Sequence, residues 1–88
     1  MARADLRGAD LQRTVLVSAD LRGANLEHAD LRRAQFPQAN LRRANLRSAR
    51  LERAYLQNAD LRGARLEGAR LTGARYDRAT RWPAGSRH

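Results

Sequence analysis

Leucine recurs at every fifth position along most of the chain. All 13 leucines fall in one register that begins at Leu6, and two aromatic residues, Phe36 and Tyr76, occupy its remaining positions. Alanine recurs with the same spacing two residues earlier, from Ala4 to Ala79, and Thr14 is the one exception. A repeat this regular decides the fold before any other feature of the sequence does.

A period of five fits neither a single helix nor a straight strand. On a helix, five residues advance about 140° beyond a full turn, so the leucines would spiral around the axis. In a straight strand, an odd period sends alternate leucines to opposite faces. Each alanine lies two residues before a leucine, so the two point the same way in locally extended chain. The pattern predicts short extended segments, with alanine and leucine inward, separated by a corner every five residues.

Two further positions of the repeat indicate how the corners are built. Five of the six glycines stand two residues after a leucine, where a corner can require positive φ. Asp or Asn precedes the leucine in eight pentads. Other residues occupy that slot in seven pentads: Val15, Gln35, Arg50, Tyr55, Arg65, Arg70 and Arg75.

Segments such as Ala19-Asp20-Leu21-Arg22-Gly23 and Ala59-Asp60-Leu61-Arg62-Gly63 resemble the pentapeptide-repeat family. The resemblance implies that the short Asp and Asn side chains before the leucine bond nearby backbone at the corner, and that the seven pentads with other residues lack this bond. The resemblance covers residues 4 to about 80 and implies an all-β fold, a right-handed quadrilateral β-helix solenoid of about four coils with four pentads in each. We expect one domain over residues 1–84, with repeats over about 4–80 and a C-terminal cap at 81–84 formed by Trp82 and Pro83. Residues 85–88 are interpreted as a tail, compatible with a cloning scar.

If residues twenty apart stack, the outer side chains form columns on four faces. The first to fourth faces are the pentads centred on Leu6, Leu11, Leu16 and Leu21, with the pentads twenty residues further on. Two columns consist of arginine: Arg13, Arg33 and Arg53 on the second face, and Arg22, Arg42 and Arg62 on the fourth. They are interpreted either as solvated surface or as anion-binding columns, because stacked like charges repel unless acids or a polyanion screen them.

The third face is the least charged. Val15, Val17, Pro37 and Tyr55 occupy outward positions there, and they are interpreted either as scattered surface residues or as a contact patch. Phe36 and Tyr76 occupy the inward slot of the same face, so we expect both rings in the core.

Composition limits the chemistry. The chain has 18 arginines, no lysine, nine acidic residues and a net charge of +9. Cysteine is absent and the histidines are His28 and His88 alone, so we expect no thiolate chemistry, metal site, cofactor or catalytic residues. No apolar run reaches the roughly 20 residues of a membrane span, and without a signal peptide we expect a cytoplasmic protein.

The best-known activity of the family is protection of type II topoisomerases by an acidic rod that resembles duplex DNA. A net charge of +9 has the wrong sign for such mimicry. Two hypotheses remain. The favoured one is a non-enzymatic structural or protein-interaction module that binds a protein partner or itself through its coil ends or the apolar face. The alternative is polyanion binding, to nucleic acid or an anionic surface, through the arginine columns. Only Tyr55 and Trp82 are candidates for base stacking, which disfavours nucleic acid.

Overall fold

A computed structural model describes residues 2–85, and from residue 2 to residue 75 the chain turns at every fifth residue. Each regular turn is closed by a hydrogen bond from an alanine or threonine amide to the leucine or phenylalanine carbonyl three residues earlier, such as Ala34 N to Leu31 O at 3.0 Å. The residue two after each leucine, and its equivalents Arg3 and Gln38, have φ between 57° and 73° as far as Gly73. Positive φ at the third residue of such a turn defines type II. The predicted corner every five residues is confirmed.

Successive coils pair through isolated parallel β-bridges rather than continuous strands. The bridges join residues twenty apart, from Asp5 with Asn25 to Tyr55 with Arg75. Around each bridge, two backbone hydrogen bonds link the coils; Leu26 N donates to Asn45 O at 2.8 Å and Asn45 N to Ala24 O at 2.9 Å. Each extended segment is too short for a regular strand because a turn follows at once. The described residues therefore form a β-helix solenoid with twenty residues per coil.

Leucine, alanine and Phe36 fill the interior. The leucines from Leu21 to Leu61 and the ring of Phe36 are fully buried, and the alanines from Ala24 to Ala59 are buried with them. Burying one leucine side chain contributes about 1.5–3 kcal/mol, so this stack is the main source of stability. Leucines in the outer coils, such as Leu6, Leu11 and Leu71, are only partly buried because a coil covers them on one side alone.

The register changes at the C-terminal end. Asp60 pairs with Arg81, twenty-one residues away, and the preceding turn begins at Asp77, whose carbonyl accepts the Thr80 amide at 3.2 Å. The additional residue rotates the chain out of the repeat: the side chain of Thr80 is buried and Ala79 is exposed. Tyr76 is 50% exposed, so the prediction that its ring fills the core is wrong.

Beyond the register change, Trp82 covers the last coil. Its ring is half-buried and packs against the core cluster, and Tyr76 meets it edge to face with the ring centroids 5.4 Å apart. The exposed Tyr76 ring therefore packs against the outer side of the capping Trp82 ring. Of the expected tail at 85–88, residues 86–88 lie outside the described residues, as does Met1 at the start of the expected domain. The domain boundaries remain a prediction.

Candidate anion-binding and contact surfaces

The Asp and Asn side chains that precede the leucines form the expected hydrogen bonds to the backbone of the corners. In all eight pentads with Asp or Asn, the side-chain Oδ1 accepts the backbone amide two residues later at 3.1–3.3 Å. The turn after Gln35 is built differently. Pro37 stands at its second position, where it has no amide hydrogen to satisfy and its fixed φ suits a type II turn.

The fourth-face column is partly compensated by acids. Arg22 Nε and Nη2 each donate to Asp20 at 2.8 Å, and Arg62 Nε and Nη2 donate to Asp60 at 2.9 and 2.6 Å. The hydrogen bond from Arg22 lowers the pKa of Asp20 to about 2, and Arg62 lowers the pKa of Asp60 in the same way. Arg42 differs: its Nε donates to the neutral Asn40 at 3.1 Å and lies 3.9 Å from Asp60 Oδ2.

The second-face column has no such compensation. Arg13, Arg33 and Arg53 are exposed at positive-φ turn positions, and no ion pair forms to them within residues 2–85. Two neighbouring carboxylates are engaged by other arginines: Arg32 Nη2 lies 2.7 Å from Asp30, and Arg50 Nη2 lies 3.1 Å from Glu52. The third, Asp10, accepts a hydrogen bond from Gln12 Nε2 at 3.1 Å. Stacking of three uncompensated guanidinium groups raises the positive potential of this edge.

A groove follows the corner after the fourth face, and we name it the corner groove. Its volume is about 680 Å³, and it is lined by Ala2, Arg3, Arg22, Gly23, Arg42, Arg43, Arg62 and Gly63. Sequence reasoning singled out three of these arginines and missed Arg3 and Arg43. One sequence pattern does indicate Arg3 and Arg43. Arginine and glycine alternate at a spacing of twenty: Arg3, Gly23, Arg43 and Gly63.

The third-face residues are exposed to different degrees. Val15 is 64% exposed and Val17 47%, whereas Pro37 and Tyr55 are half-buried. By register Val17 stacks on Pro37, but Gln35 bridges to both Val15 and Tyr55 and so separates them. Arg75 covers one side of the Tyr55 ring, its Cζ 5.7 Å from the ring centroid. The most continuous apolar surface is therefore formed by Val15, Val17 and Pro37.

No three His, Asp or Glu side chains among residues 2–85 come together as a potential metal site. In the same range, no helix has the length and hydrophobicity needed to cross a bilayer.

Three solved structures are similar to this chain. Rfr23, a pentapeptide repeat protein from the cyanobacterium Cyanothece 51142, has a TM-score of 0.90 and 40% identity over 91% of this chain and 54% of its own. The pentapeptide repeat protein alr5209 from Nostoc PCC 7120 has a TM-score of 0.72 and 39% identity, covering 97% of this chain and 74% of its own. HetL from Nostoc sp. strain PCC 7120, a pentapeptide repeat protein involved in heterocyst differentiation regulation, has a TM-score of 0.68 and 32% identity, covering 100% and 51%.

The chain thus spans about half the length of Rfr23 and HetL. No curated protein matches it. The family model for pentapeptide repeats matches residues 1–38 and 39–75 as eight copies, in agreement with the turns and bridges described above. The chain belongs to the pentapeptide-repeat family.

Proposed function

We propose that this chain is a non-enzymatic protein-interaction module built as a right-handed quadrilateral β-helix of about four coils. Pairing of residues twenty apart, with a turn every five, supports that geometry. The central coils hold only leucine, alanine and Phe36 in their interior, so recognition is left to the outer surface. The observation that carries the proposal is the exposure of Val15 and Val17 side by side on the least charged face; Tyr76 is the other large hydrophobic residue exposed among residues 2–85.

The third face is the best candidate for self-association. Val15 and Val17 with Pro37 and Tyr55 can bury apolar area against a second copy at about 25 cal/mol per Å². The second and fourth faces carry the arginine columns, and like charge on two copies opposes pairing through them. The third face is therefore the surface through which two copies can pair side by side.

Sedimentation velocity of a double variant tests this route. We expect Val17→Glu with Tyr55→Glu to weaken a lateral dimer and retain the fold, because Val17 is exposed and the half-buried Tyr55 is not part of the buried core cluster. Gln12→Glu with Thr72→Glu, at exposed second-face positions, is the matched control and should leave the dimer intact. If the test variant forms the same oligomer as the parent chain, the contact between copies is at the coil ends and not on the third face. A monomeric parent chain would remove self-association through this face.

Polyanion binding through Arg13, Arg33 and Arg53 is a second candidate, favoured by the absence of any ion pair to these three residues within the described range. Duplex DNA provides the test, by fluorescence anisotropy between about 50 and 200 mM salt. The candidate function requires binding that weakens steeply with salt and is reduced when the three arginines are changed to glutamine. Absence of binding at the lowest salt would eliminate it.

A further inference from the structure

We propose that the corner groove binds a short oligophosphate anion, such as a condensed phosphate chain or the triphosphate group of a nucleotide. This inference goes beyond the interaction module. It depends on Arg3 and Arg43, which belong to neither of the two arginine columns, and it does not require that the chain bind DNA.

The charge of the groove is uncompensated at its centre. Five arginines line it, and the two carboxylates near it pair with three of them: Asp20 with Arg22, and Asp60 with Arg62 at 2.6 Å and more distantly with Arg42 at 3.9 Å. Five positive and two negative charges leave a net charge of three. Arg3 and Arg43 have no carboxylate partner among residues 2–85, and the closest side-chain partner of Arg42 is the neutral Asn40. Guanidinium groups without a carboxylate retain their paired N–H donors for phosphate oxygens, which they bind in a bidentate manner.

The glycines of the groove leave room for the aliphatic stems of Arg3 and Arg43. A Cβ atom at Gly23 would lie 3.3 Å from Arg3 Cγ, and one at Gly63 would lie 3.2 Å from Arg43 Cγ. Each stem therefore lies against the backbone of the following coil, where a larger residue would displace it. Because the stems are supported, less side-chain entropy is lost when the guanidinium groups bind a ligand.

The other corners do not offer the same surface. At the two turn positions after the leucine, the first corner carries Glu27 and Glu67. The second corner is also rich in arginine, but it includes Glu52, and no glycine stands between Arg13, Arg33 and Arg53 in their column. The third carries mostly neutral residues, among them Val17, Pro37 and Gln57. At the same positions the fourth corner has only arginine and glycine from Arg22 to Gly63.

The size of the groove limits its ligand. Arg22, Arg42 and Arg62 follow one another at the coil spacing of about 4.8 Å, so they span about 10 Å along the solenoid axis. This length suits a few phosphates, whereas a nucleic acid strand would extend beyond the arginines. The lining contains no aromatic ring on which a base could stack. The ligand is therefore recognised through its phosphates, whatever group they are attached to.

Calorimetric titration of the full chain with sodium tripolyphosphate at low salt tests the site. We expect Arg3→Gln with Arg43→Gln to weaken binding about tenfold or more, as expected for the loss of charge-assisted hydrogen bonds. Arg65→Gln with Arg78→Gln removes the same charge at exposed positions outside the groove and outside both arginine columns, and should change binding by less than about threefold. Circular dichroism establishes that both variants are folded. Equal losses in the two variants, or no binding by the parent chain, would overturn the proposal.

Comparison of ligands distinguishes the sources of the phosphate chain. ATP, GTP and tripolyphosphate should bind with affinities within about threefold of one another, because no group in the groove recognises a base. A strong preference for one nucleotide would contradict this mode of recognition. Tighter binding of single-stranded DNA than of tripolyphosphate, lost in the Arg3/Arg43 variant, would assign the groove to nucleic acid instead and overturn the oligophosphate proposal.

Discussion

The Thr80 hydroxyl donates a hydrogen bond to the Leu56 carbonyl at 2.8 Å, at the point where the pairing of coils lengthens from twenty to twenty-one residues. The Asp77 carboxylate stabilises the same point, since its Oδ1 accepts the amides of Asn58 and Thr80 at 3.0 and 3.1 Å. Asp77 thereby provides Asn58 with the acceptor that a backbone carbonyl provides in the regular coils, where Ser48 N donates to Glu67 O. The longer register is fixed by these polar contacts together with the cap formed by Trp82.

Replacing the buried hydroxyl tests this account of the C-terminal coil. We expect Thr80→Val to lower the free energy of unfolding by about 1–2 kcal/mol, because the shape is retained while the bond to Leu56 is lost. Thr72→Val, at an exposed position, should change it by less than about 0.5 kcal/mol. Urea denaturation measures both. Equal midpoints for the two variants would show that the hydroxyl does not hold the register.

The central leucines should dominate stability. Leu56 is fully buried, so we expect Leu56→Ala to cost about 2–5 kcal/mol through lost burial and the cavity that remains. Gln57→Ala, at the next position, removes a half-buried side chain whose Oε1 is buried and makes no hydrogen bond among residues 2–85, so it should cost clearly less than Leu56→Ala. The comparison uses denaturation midpoints, and similar shifts in both variants would contradict the assignment of inward and outward positions.

Two glycines at equivalent turn positions should respond differently to alanine. At Gly8, with φ of +65° and no atom within 4 Å of an added Cβ, Gly8→Ala should cost about 1 kcal/mol from backbone strain alone. At Gly63 an added Cβ also meets Arg43 Cγ at 3.2 Å, so Gly63→Ala should cost more. In an Arg43→Ala background the additional cost should disappear. If it persists in thermal or urea unfolding, the contact with Arg43 does not cause it.

Acid should weaken the fold through the paired aspartates. The pKa of Asp20 is lowered to about 2 by the Arg22 hydrogen bond, while an unfolded Asp titrates near about 3.9. Between these values the unfolded chain binds more protons, so this contribution is complete above about pH 4 and is lost as the pH falls toward about 2. Urea midpoints between pH 5 and pH 2 should therefore fall less steeply in Asp20→Asn and in Arg22→Gln than in the parent. Parallel pH profiles would exclude this linkage.

The regular part of the fold follows from local sequence. The period of five assigns alanine and leucine to the interior, and the structure buries them from Leu21 to Leu61. The eight Asp and Asn residues make the bonds expected of them, because donor and acceptor lie only two residues apart and the turn itself brings them together. Interactions of such short range depend little on the rest of the molecule, and a repeat reproduces them in every pentad.

The glycines in the sequence predict only some of the turn positions that have positive φ. Ten turn positions hold residues other than glycine at positive φ, such as Arg13, His28 and Asn58. A residue with a Cβ does not favour this conformation by itself. Pairing with the adjacent coils imposes it, since each turn must close after five residues for its neighbours to stay in register.

Only the tertiary structure decided how charges are shared and where the repeat ends. Sequence placed the arginines in columns but could not tell that the carboxylates engage Arg22 and Arg62 while Arg43 has no acidic partner in the described range. It placed Tyr76 inside, whereas one additional residue turns Tyr76 outward and buries Thr80. The pentad pattern alone does not distinguish a twenty-residue from a twenty-one-residue coil. The choice depends on the hydrogen bonds of Asp77 and Thr80 to a coil about twenty residues earlier and on the surface that Trp82 covers, and these contacts exist only once the coils are stacked.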